Sequence, residues 1–204
     1  TPNPGSTNPR DRRIWEWAWY ALRVANLSLE KIDQEGLFEG TPEEKNHIKG
    51  QALFFRGWFY FEICRFWGGM PYITKALSPT EDMITEEFKR LSFQETAKLM
   101  AKDFRDAANL LPNHWDLSDP GQRTLGHNAD RINKFHALGY LGKALLYAAS
   151  PMINEEATGK NEFDPALSKQ AAEAFGELLK LADETGLYKL QTWATWTDNF
   201  IKFN

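Results

Sequence analysis

The stretch from residue 54 to residue 62 places six aromatic side chains in nine positions. The apolar residues around it fall on two rows of one helix: Ile48, Ala52, Phe55, Phe59, Ile63 and Phe66 on the first, and Phe54, Trp58 and Phe61 on the second. A helix that is apolar on two faces has to be covered on both. The sequence therefore predicts a long helix sandwiched between neighbours, with its aromatic rings in the core. Arg56 and Arg65 must then extend to the surface or pair, Arg65 with Glu62 three residues earlier.

Composition limits the class of protein. The 204 residues are enough for one domain, 1–204, and the net charge of −4 gives no basic surface for nucleic acid. No run of 18 apolar residues occurs, so the sequence predicts no membrane-spanning helix. The single cysteine, Cys64, excludes an internal disulfide and a multi-cysteine zinc site, and it is predicted to be buried and inert.

Helix-start and helix-stop signals predict five helices. The first runs from about residue 12 to 31, and the second starts at Thr41 with a T-x-x-E box and continues to about residue 67. The third starts at Ser92 with a second box and ends before Pro112. The fourth covers about 131–149, the fifth runs from Pro165 to Gly186, and a sixth is predicted near Thr192. Connections are expected at 68–91, 112–130 and 150–164.

No segment shows a run of strand alternation. The prediction is an all-α protein of paired antiparallel helices, of the tetratricopeptide-like type that builds an α-α superhelix. In the fourth helix, Gly139 and Gly142 would each cost about 1 kcal/mol, and close approach of a neighbouring backbone is the expected compensation.

The sequence contains no catalytic or metal-binding motif. The four histidines, His47, His114, His127 and His136, form no H-E-x-x-H pattern, and they are interpreted as surface or satisfied side chains. Asp116, Asp119 and Gly121 lack the spacing of a calcium loop. G-x-S-x-G, P-loop and G-x-G-x-x-G motifs are also missing. We expect no cofactor, no metal and no enzymatic activity.

The loop "PNHWDLSDPGQRT" is the segment whose residue types suit a sugar. A sugar offers an apolar face on which an exposed aromatic ring stacks, and hydroxyls that polar side chains bind. The candidate ligand-binding residues are Trp115, Asn113, Asp116 and Arg123. The alternative is that Trp115 folds back as an apolar plug over the helix ends. Tyr72, Trp193 and Trp196 are assigned to core or interface roles.

Four ordered segments resemble the SusD/RagB family. The segment "QALFFRGWFYFEICRFWGGMPYI" resembles the family's signature helix through Ala52, Phe54, Arg56, Tyr60, Phe61, Phe66, Gly68 and Pro71, with Gly57 where the family usually has Ala. "ALRVANLSLEKI", "RINKFHALGYLGKALLYAASP" and "YKLQTWATWTDNF" resemble three further family segments. Within the first of these, Arg23 and Asn26 are interpreted as polar groups that satisfy buried backbone.

The resemblance implies a lipid-anchored, extracellular glycan-binding protein of a bacterial outer membrane. Such proteins cover a TonB-dependent, SusC-like transporter and pass oligosaccharides to it, and they combine four helix pairs with an irregular C-terminal half. Family members are more than twice this long, so the chain is expected to be the helical portion of a larger SusD-like fold, without the lipid anchor region and the C-terminal half. Two alternatives stay open: a tetratricopeptide-type protein scaffold that binds no glycan, and an α-helical glycosidase with a suitably spaced carboxylate pair.

Overall fold

Seven α-helices account for most of residues 9–197, the part of the chain that the computed structural model describes; side chains are described from residue 14 on. The helices are α1 Pro9–Lys31, α2 Pro42–Trp67, α3 Phe93–Leu110, α4 Asp119–Gln122, α5 Lys134–Ala148, α6 Pro151–Thr158 and α7 Pro165–Thr185. No strand occurs within these described residues, so the predicted all-α class is confirmed. None of the described helices is both long and apolar enough to cross a bilayer.

The predicted starts of α2 and α3 are confirmed, and each is fixed by a reciprocal capping box. Thr41 Oγ1 accepts from the Glu44 amide at 3.2 Å, and the Glu44 carboxylate accepts from the Thr41 amide at 2.7 Å. Ser92 and Glu95 repeat this exchange at 3.2 and 2.8 Å. These bonds satisfy amides that a helix start leaves without partners. At its other end α2 stops at Gly68, whose φ of 79° suits glycine.

The shorter elements differ from the prediction. The fourth predicted helix starts three residues later, at Lys134, because Asn133 caps it. The connection predicted at 150–164 contains α6, and the one at 112–130 contains the single-turn α4. The sixth helix predicted near Thr192 is a 3-10 turn. Both short helices have a proline in the first turn, which is a helix-start signal. They are too short to show an apolar periodicity, so no periodicity in the sequence predicted them.

The long helices pack in the order α1, α2, α3, α5, α7, and neighbours run antiparallel. The start of α1 meets the end of α2, where the rings of Trp15 and Trp67 lie 5.1 Å apart. The start of α3 meets the end of α5, where Gln94 donates to the Ala148 carbonyl at 3.2 Å. In the same way, the start of α2 meets the end of α3, and the start of α5 meets the segment after α7. The predicted antiparallel pairing is confirmed.

The prediction that both apolar rows of α2 are buried is wrong in part. Phe54 and Phe61 lie in the core against α3 and α5. Phe55, on the other row, is 40% exposed, and Phe59 is only half-buried, whereas Ile63 further along that row is fully buried. The reason is that α1 covers this side of α2 incompletely and leaves a groove between the two helices.

A buried ion pair joins α2 to α3. Arg56 Nε and Nη2 donate to the two carboxylate oxygens of Asp103 at 2.6 and 2.7 Å. Arg56 Nη1 also donates to Asn26 Oδ1 at 3.1 Å, and the Tyr72 hydroxyl donates to Asp103 at 2.7 Å. Burial opposes the charge of Arg56, but the hydrogen bonds and charge of Asp103 outweigh it and raise the Arg56 pKa. Arg65 pairs with Glu62, as predicted.

Side chains of α1 hold the non-helical segment that follows α2. Asn26 Nδ2 donates to the carbonyls of Ile73 and Lys75, both at 3.0 Å. Arg23 Nη1 donates to the Leu77 carbonyl at 2.5 Å. The backbone of this segment has no helical partners, so these bonds replace them. The prediction that Arg23 and Asn26 satisfy backbone groups is confirmed.

Candidate functional site

Trp115, the residue predicted to stack on a sugar, is buried, with 4% of its surface exposed. Its indole N–H donates to the Ile132 carbonyl at 2.8 Å. The Arg131 guanidinium lies 4.3 Å from the centre of the indole, and the ring of His47 meets it edge-on at 5.0 Å. With its polar group satisfied and its ring covered, Trp115 fills the space over the helix ends. The structure therefore shows the plug arrangement that the sequence left open, and the expectation of an exposed ring is corrected.

Loop 112–130 is organised around the buried side chain of Asn128. Its Nδ2 donates to the Asp116 carboxylate at 2.5 Å and to the Gly121 carbonyl at 2.8 Å. Its Oδ1 accepts from Thr124 Oγ1 at 2.7 Å. Asp116, one of the predicted ligand-binding residues, is thus engaged inside the loop.

The other two predicted residues lie on different surfaces. Arg123 is exposed and its Nη1 is 2.5 Å from Glu44 Oε1, in the first turn of α2. Asn113 is half-buried and lines an open cleft. A role for Asn113, Asp116 and Arg123 in binding a ligand stays a prediction.

Two adjoining pockets open where the end of α3, the start of α5 and the end of α7 meet. The first, which we call the polar pocket, has a volume of about 250 Å³ and is lined by His114, Trp115, Asn128, Ala129, Asp130, Arg131, Asn133, His136 and Tyr188. The second, the end cleft, has a volume of about 500 Å³ and is lined by Glu43, His47, Pro112, Asn113, His114, Leu117, Ser118, Thr185 and Leu187. His114 lines both, so the two form one continuous surface.

Tyr188 gives the polar pocket an aromatic ring that is 43% exposed. Its hydroxyl accepts a hydrogen bond from Asn133 Nδ2 at 2.8 Å, and its ring lies 4.6 Å from that of Phe135. Asn133 also caps α5 by accepting from the amides of Phe135 and His136. The start of α5 therefore holds the tyrosine ring in place at the mouth of the pocket.

The pocket walls offer both donors and acceptors. Burial lowers the pKa of His136, and burial is also the main reason that the pKa of His47 is lowered. A lowered pKa favours the neutral imidazole, which carries one donor and one acceptor nitrogen. Asp130 in the polar pocket and Glu43 in the end cleft add acceptors. Such a mixture suits sugar hydroxyls, which donate and accept.

The surroundings offer little for other chemistry. Cys64 is buried, and burial raises the pKa of its thiol to about 12, so the thiol stays protonated, as predicted. Among the described residues, no group of three or more His, Cys, Asp or Glu side chains could hold a metal ion.

Sequence alone did not identify Tyr188 or His136 as site residues. Tyr188 lies 55 positions from Asn133 in the chain, and only the packing of α7 on α5 brings the two together. The sequence signal that could have pointed to Tyr188 was its position just after a predicted helix, in the segment "YKLQTW".

Comparison with known proteins gives consistent matches. A SusD-like family model, described as "Starch-binding associating with outer membrane", matches residues 5–125. The SusD-like protein P38 of Formosa agariphila is 33% identical over 94 residues, which cover 46% of this chain and 17% of that protein.

Solved structures resemble most of the chain. A SusD-like protein of Bacteroides fragilis superposes with a TM-score of 0.63 at 22% identity, covering 90% of this chain and 29% of the other. A laminarin-binding SusD-like protein gives a TM-score of 0.52 at 20% identity, covering 72% and 30%. At these identities the likeness shows the fold alone. The chain thus spans less than a third of the length of either structure.

Proposed function

Because this chain belongs to the SusD-like family of starch-binding proteins that associate with the outer membrane, we propose that it is the glycan-binding part of an oligosaccharide import system. In this proposal the protein is held by a lipid anchor on the extracellular face of the outer membrane. It binds oligosaccharide and passes it to a TonB-dependent, SusC-like transporter. The family description names binding and no reaction, which supports a binding protein rather than an enzyme at the level of the family.

The observation that carries the proposal is the exposed ring of Tyr188 at the mouth of the polar pocket. An aromatic ring that is fixed at its hydroxyl and exposed on its surface can stack on the apolar face of a pyranose. Asp130, His114 and His136 line the same pocket and can bind hydroxyls at the edge of that sugar. The end cleft continues past His114 towards Asn113, so further sugar units would extend in that direction.

Binding to laminarin and to soluble starch, measured by isothermal titration calorimetry, tests the proposal. Loss of one stacking ring is expected to cost about 1–3 kcal/mol of affinity, by analogy with stacking on nucleobases. Tyr188→Ala should therefore weaken binding by about fivefold to more than a hundredfold. Tyr20→Ala is the matched control, since Tyr20 is an exposed tyrosine on α1, outside both pockets.

Two results would contradict the proposal. Unchanged affinity of a folded Tyr188→Ala variant would place the site elsewhere. Failure of the wild-type chain to bind either glucan or a wider panel of glycans would favour the tetratricopeptide-type scaffold that binds no glycan.

A further inference from the structure

Charged side chains line both the polar pocket and the end cleft, and negative charge predominates. Asp130 lines the polar pocket and Glu43 lines the end cleft. Arg131 is the one Lys or Arg among the described residues that line these two pockets. Its guanidinium packs on the Trp115 ring, and its Nη1 donates to Asn128 Oδ1 at 3.0 Å. The positive charge is therefore engaged inside the loop, whereas the two carboxylates border the open space.

Asp130 is exposed, and its carboxylate has no hydrogen-bond or ion-pair partner in the part of the chain that the structure describes. Its φ of 64° lies in the left-handed region, and no other non-glycine residue among those described has a positive φ. Glycine adopts this conformation most readily, and aspartate is one of the few other residues that tolerate it. The pocket thus has a carboxylate at a position where glycine would be less strained. Such a residue beside a pocket is a candidate for a function in binding.

The Glu43 carboxylate of the end cleft faces a histidine that favours its uncharged form. His47 Nε2 lies 3.7 Å from the carboxylate, and burial is the main reason that the His47 pKa is lowered. The Glu43 side chain itself is 44% exposed. This contact therefore adds little positive charge to the cleft.

The two histidines of the polar pocket can donate hydrogen bonds without carrying charge. His114 Nδ1 accepts from the Asp116 amide, and His136 Nδ1 accepts from the Asn133 amide, both at 3.2 Å. A backbone amide can only donate, so the proton of each neutral ring is on Nε2. Neither Nε2 has a hydrogen-bond partner among the described residues. Each ring can therefore donate to a ligand oxygen and add no positive charge to the pocket.

This combination of groups suits the hydroxyls of an uncharged sugar. A hydroxyl can donate to the Asp130 carboxylate and accept from a histidine Nε2–H. A uronate carboxylate or a sulfate ester carries a negative charge and can only accept. Repulsion between like charges a few ångströms apart weakens binding by about fivefold or more. An anionic sugar in either pocket would meet that repulsion, because the Arg131 guanidinium is engaged elsewhere.

We propose that this site selects uncharged glycans and rejects those that contain uronates or sulfate esters, with the Asp130 carboxylate as the main determinant; the inference rests on the glycan-binding function proposed above. Asp130 accepts from hydroxyls of the sugar that stacks on Tyr188. Glu43 extends the same selection to the sugar units in the end cleft. The net charge of −4 adds a weaker, long-range repulsion of polyanions.

Calorimetric titration of the chain with laminarin and with sulfated laminarin tests this selection, because the two glycans share a backbone and differ in charge. Titrations at low and at high NaCl concentration separate charge repulsion from shape. At low salt the wild type should bind the uncharged form about tenfold or more tightly than the sulfated form. The difference should narrow at high salt, because ions screen the charges.

Asp130→Asn tests the carboxylate itself. Asparagine also tolerates the left-handed conformation, so the variant should fold, which circular dichroism checks. It loses a charged acceptor, so laminarin should bind about threefold more weakly. Sulfated laminarin should bind about fivefold more tightly, because a repelling charge is gone. The ratio of the two affinities should therefore fall about tenfold or more. Glu43→Gln is a second, independent variant, in which the ratio should fall about threefold or more.

Asp82→Asn is the matched control, because it removes the same net charge away from the site. Asp82 is an exposed aspartate in the connection between α2 and α3, at the opposite end of these helices from the two pockets. Its Oδ1 accepts from the Ile84 amide at 2.9 Å, and asparagine keeps that acceptor. The affinity ratio should stay within about twofold of the wild-type value, since charges this far from the ligand are largely screened.

Three results would overturn the proposed selection, and they differ in what they leave standing. A wild type that binds sulfated laminarin as tightly as laminarin removes the selection but keeps the glycan-binding function. Equal changes of the affinity ratio in Asp130→Asn and Asp82→Asn would show that overall charge discriminates and that the pocket does not. A wild type that binds neither laminarin nor its sulfated form contradicts the selection and the glycan-binding function together.

Discussion

Two tryptophans show how far residue type alone can mislead about burial. Both Trp115 and Trp193 lie in 3-10 turns outside the long helices. Trp115 is 4% exposed, whereas Trp193 is 91% exposed. The difference comes from their partners: the indole N–H of Trp115 meets the Ile132 carbonyl, and Arg131 covers its ring. Neither partner could be identified from local sequence.

This contrast gives a prediction at the residue scale. Trp115→Ala should lower the free energy of unfolding by about 3–5 kcal/mol, the usual range for deleting a buried aromatic side chain. Trp193→Ala should change it by about 0.5 kcal/mol or less, because it removes only exposed surface. Urea denaturation followed by far-ultraviolet circular dichroism measures both. If Trp115→Ala kept full stability and lost glycan affinity instead, the ring would be a ligand contact and not a plug.

The buried pair of Arg56 and Asp103 has a different role. Removing two charges from water offsets much of their attraction, so such a pair is weak support for net stability. Its geometry is specific, however: Asp103 also accepts from Tyr72, and Arg56 donates to Asn26. These bonds fix α2 against α3 and locate the segment after α2. A helix whose two apolar rows dominate its sequence thus also carries a buried charge with a defined partner.

At the scale of elements, helix starts were predictable because their signals are local. Thr41 with Glu44, and Ser92 with Glu95, form bonds within four residues of chain. The faces of α2 were less predictable. Apolar periodicity shows that a face prefers burial, but not how completely a neighbouring helix covers it. Phe55 and Phe59 are the same residue type as Phe54 and Phe61, yet they line a groove.

Alanine substitution on the two rows of α2 should reveal this difference. Phe61 is fully buried, so Phe61→Ala should lower the free energy of unfolding by about 3–5 kcal/mol. Phe55→Ala should cost about 1 kcal/mol or less, since the ring is 40% exposed and its removal leaves no closed cavity. Thermal and urea unfolding of both variants measure this. Equal losses would mean that the first row is covered as fully as the second.

At the scale of the whole molecule, the fold class was accessible from sequence and most of the candidate site was not. Asn113 was predicted and lies in the end cleft. Tyr188 and His136 were missed because α7 meets α5 only in the folded chain, with 55 residues between Tyr188 and Asn133. Loop 112–130 supplies lining residues to both pockets, but its residues bond mainly with one another, and its role in binding a ligand stays a prediction. Sites built between distant helices depend on packing that no local pattern encodes.

Two glycines of α5, Gly139 and Gly142, lie against α7. The sequence predicts a close neighbouring backbone at both, but the structure shows side chains instead. A Cβ added at Gly142 would lie 2.7 Å from the ring of Phe175, whereas one at Gly139 would lie 3.5 Å from Leu178, an ordinary contact. A side chain at position 142 would therefore require the ring of Phe175 to move, whereas one at position 139 would not.

Alanine at these two positions should have opposite effects. Gly139→Ala should raise the free energy of unfolding by up to about 1 kcal/mol, because alanine favours the helix. Gly142→Ala gains the same helix preference, but its added methyl group overpacks the contact with Phe175, which costs about 1–3 kcal/mol. The substitution should therefore lower the free energy of unfolding overall. Because α7 packs chiefly on α5, hydrogen exchange in Gly142→Ala should accelerate most at amides of residues 165–185 and less in α2 and α3. Uniform acceleration in all helices would show instead that the helices unfold as one cooperative unit.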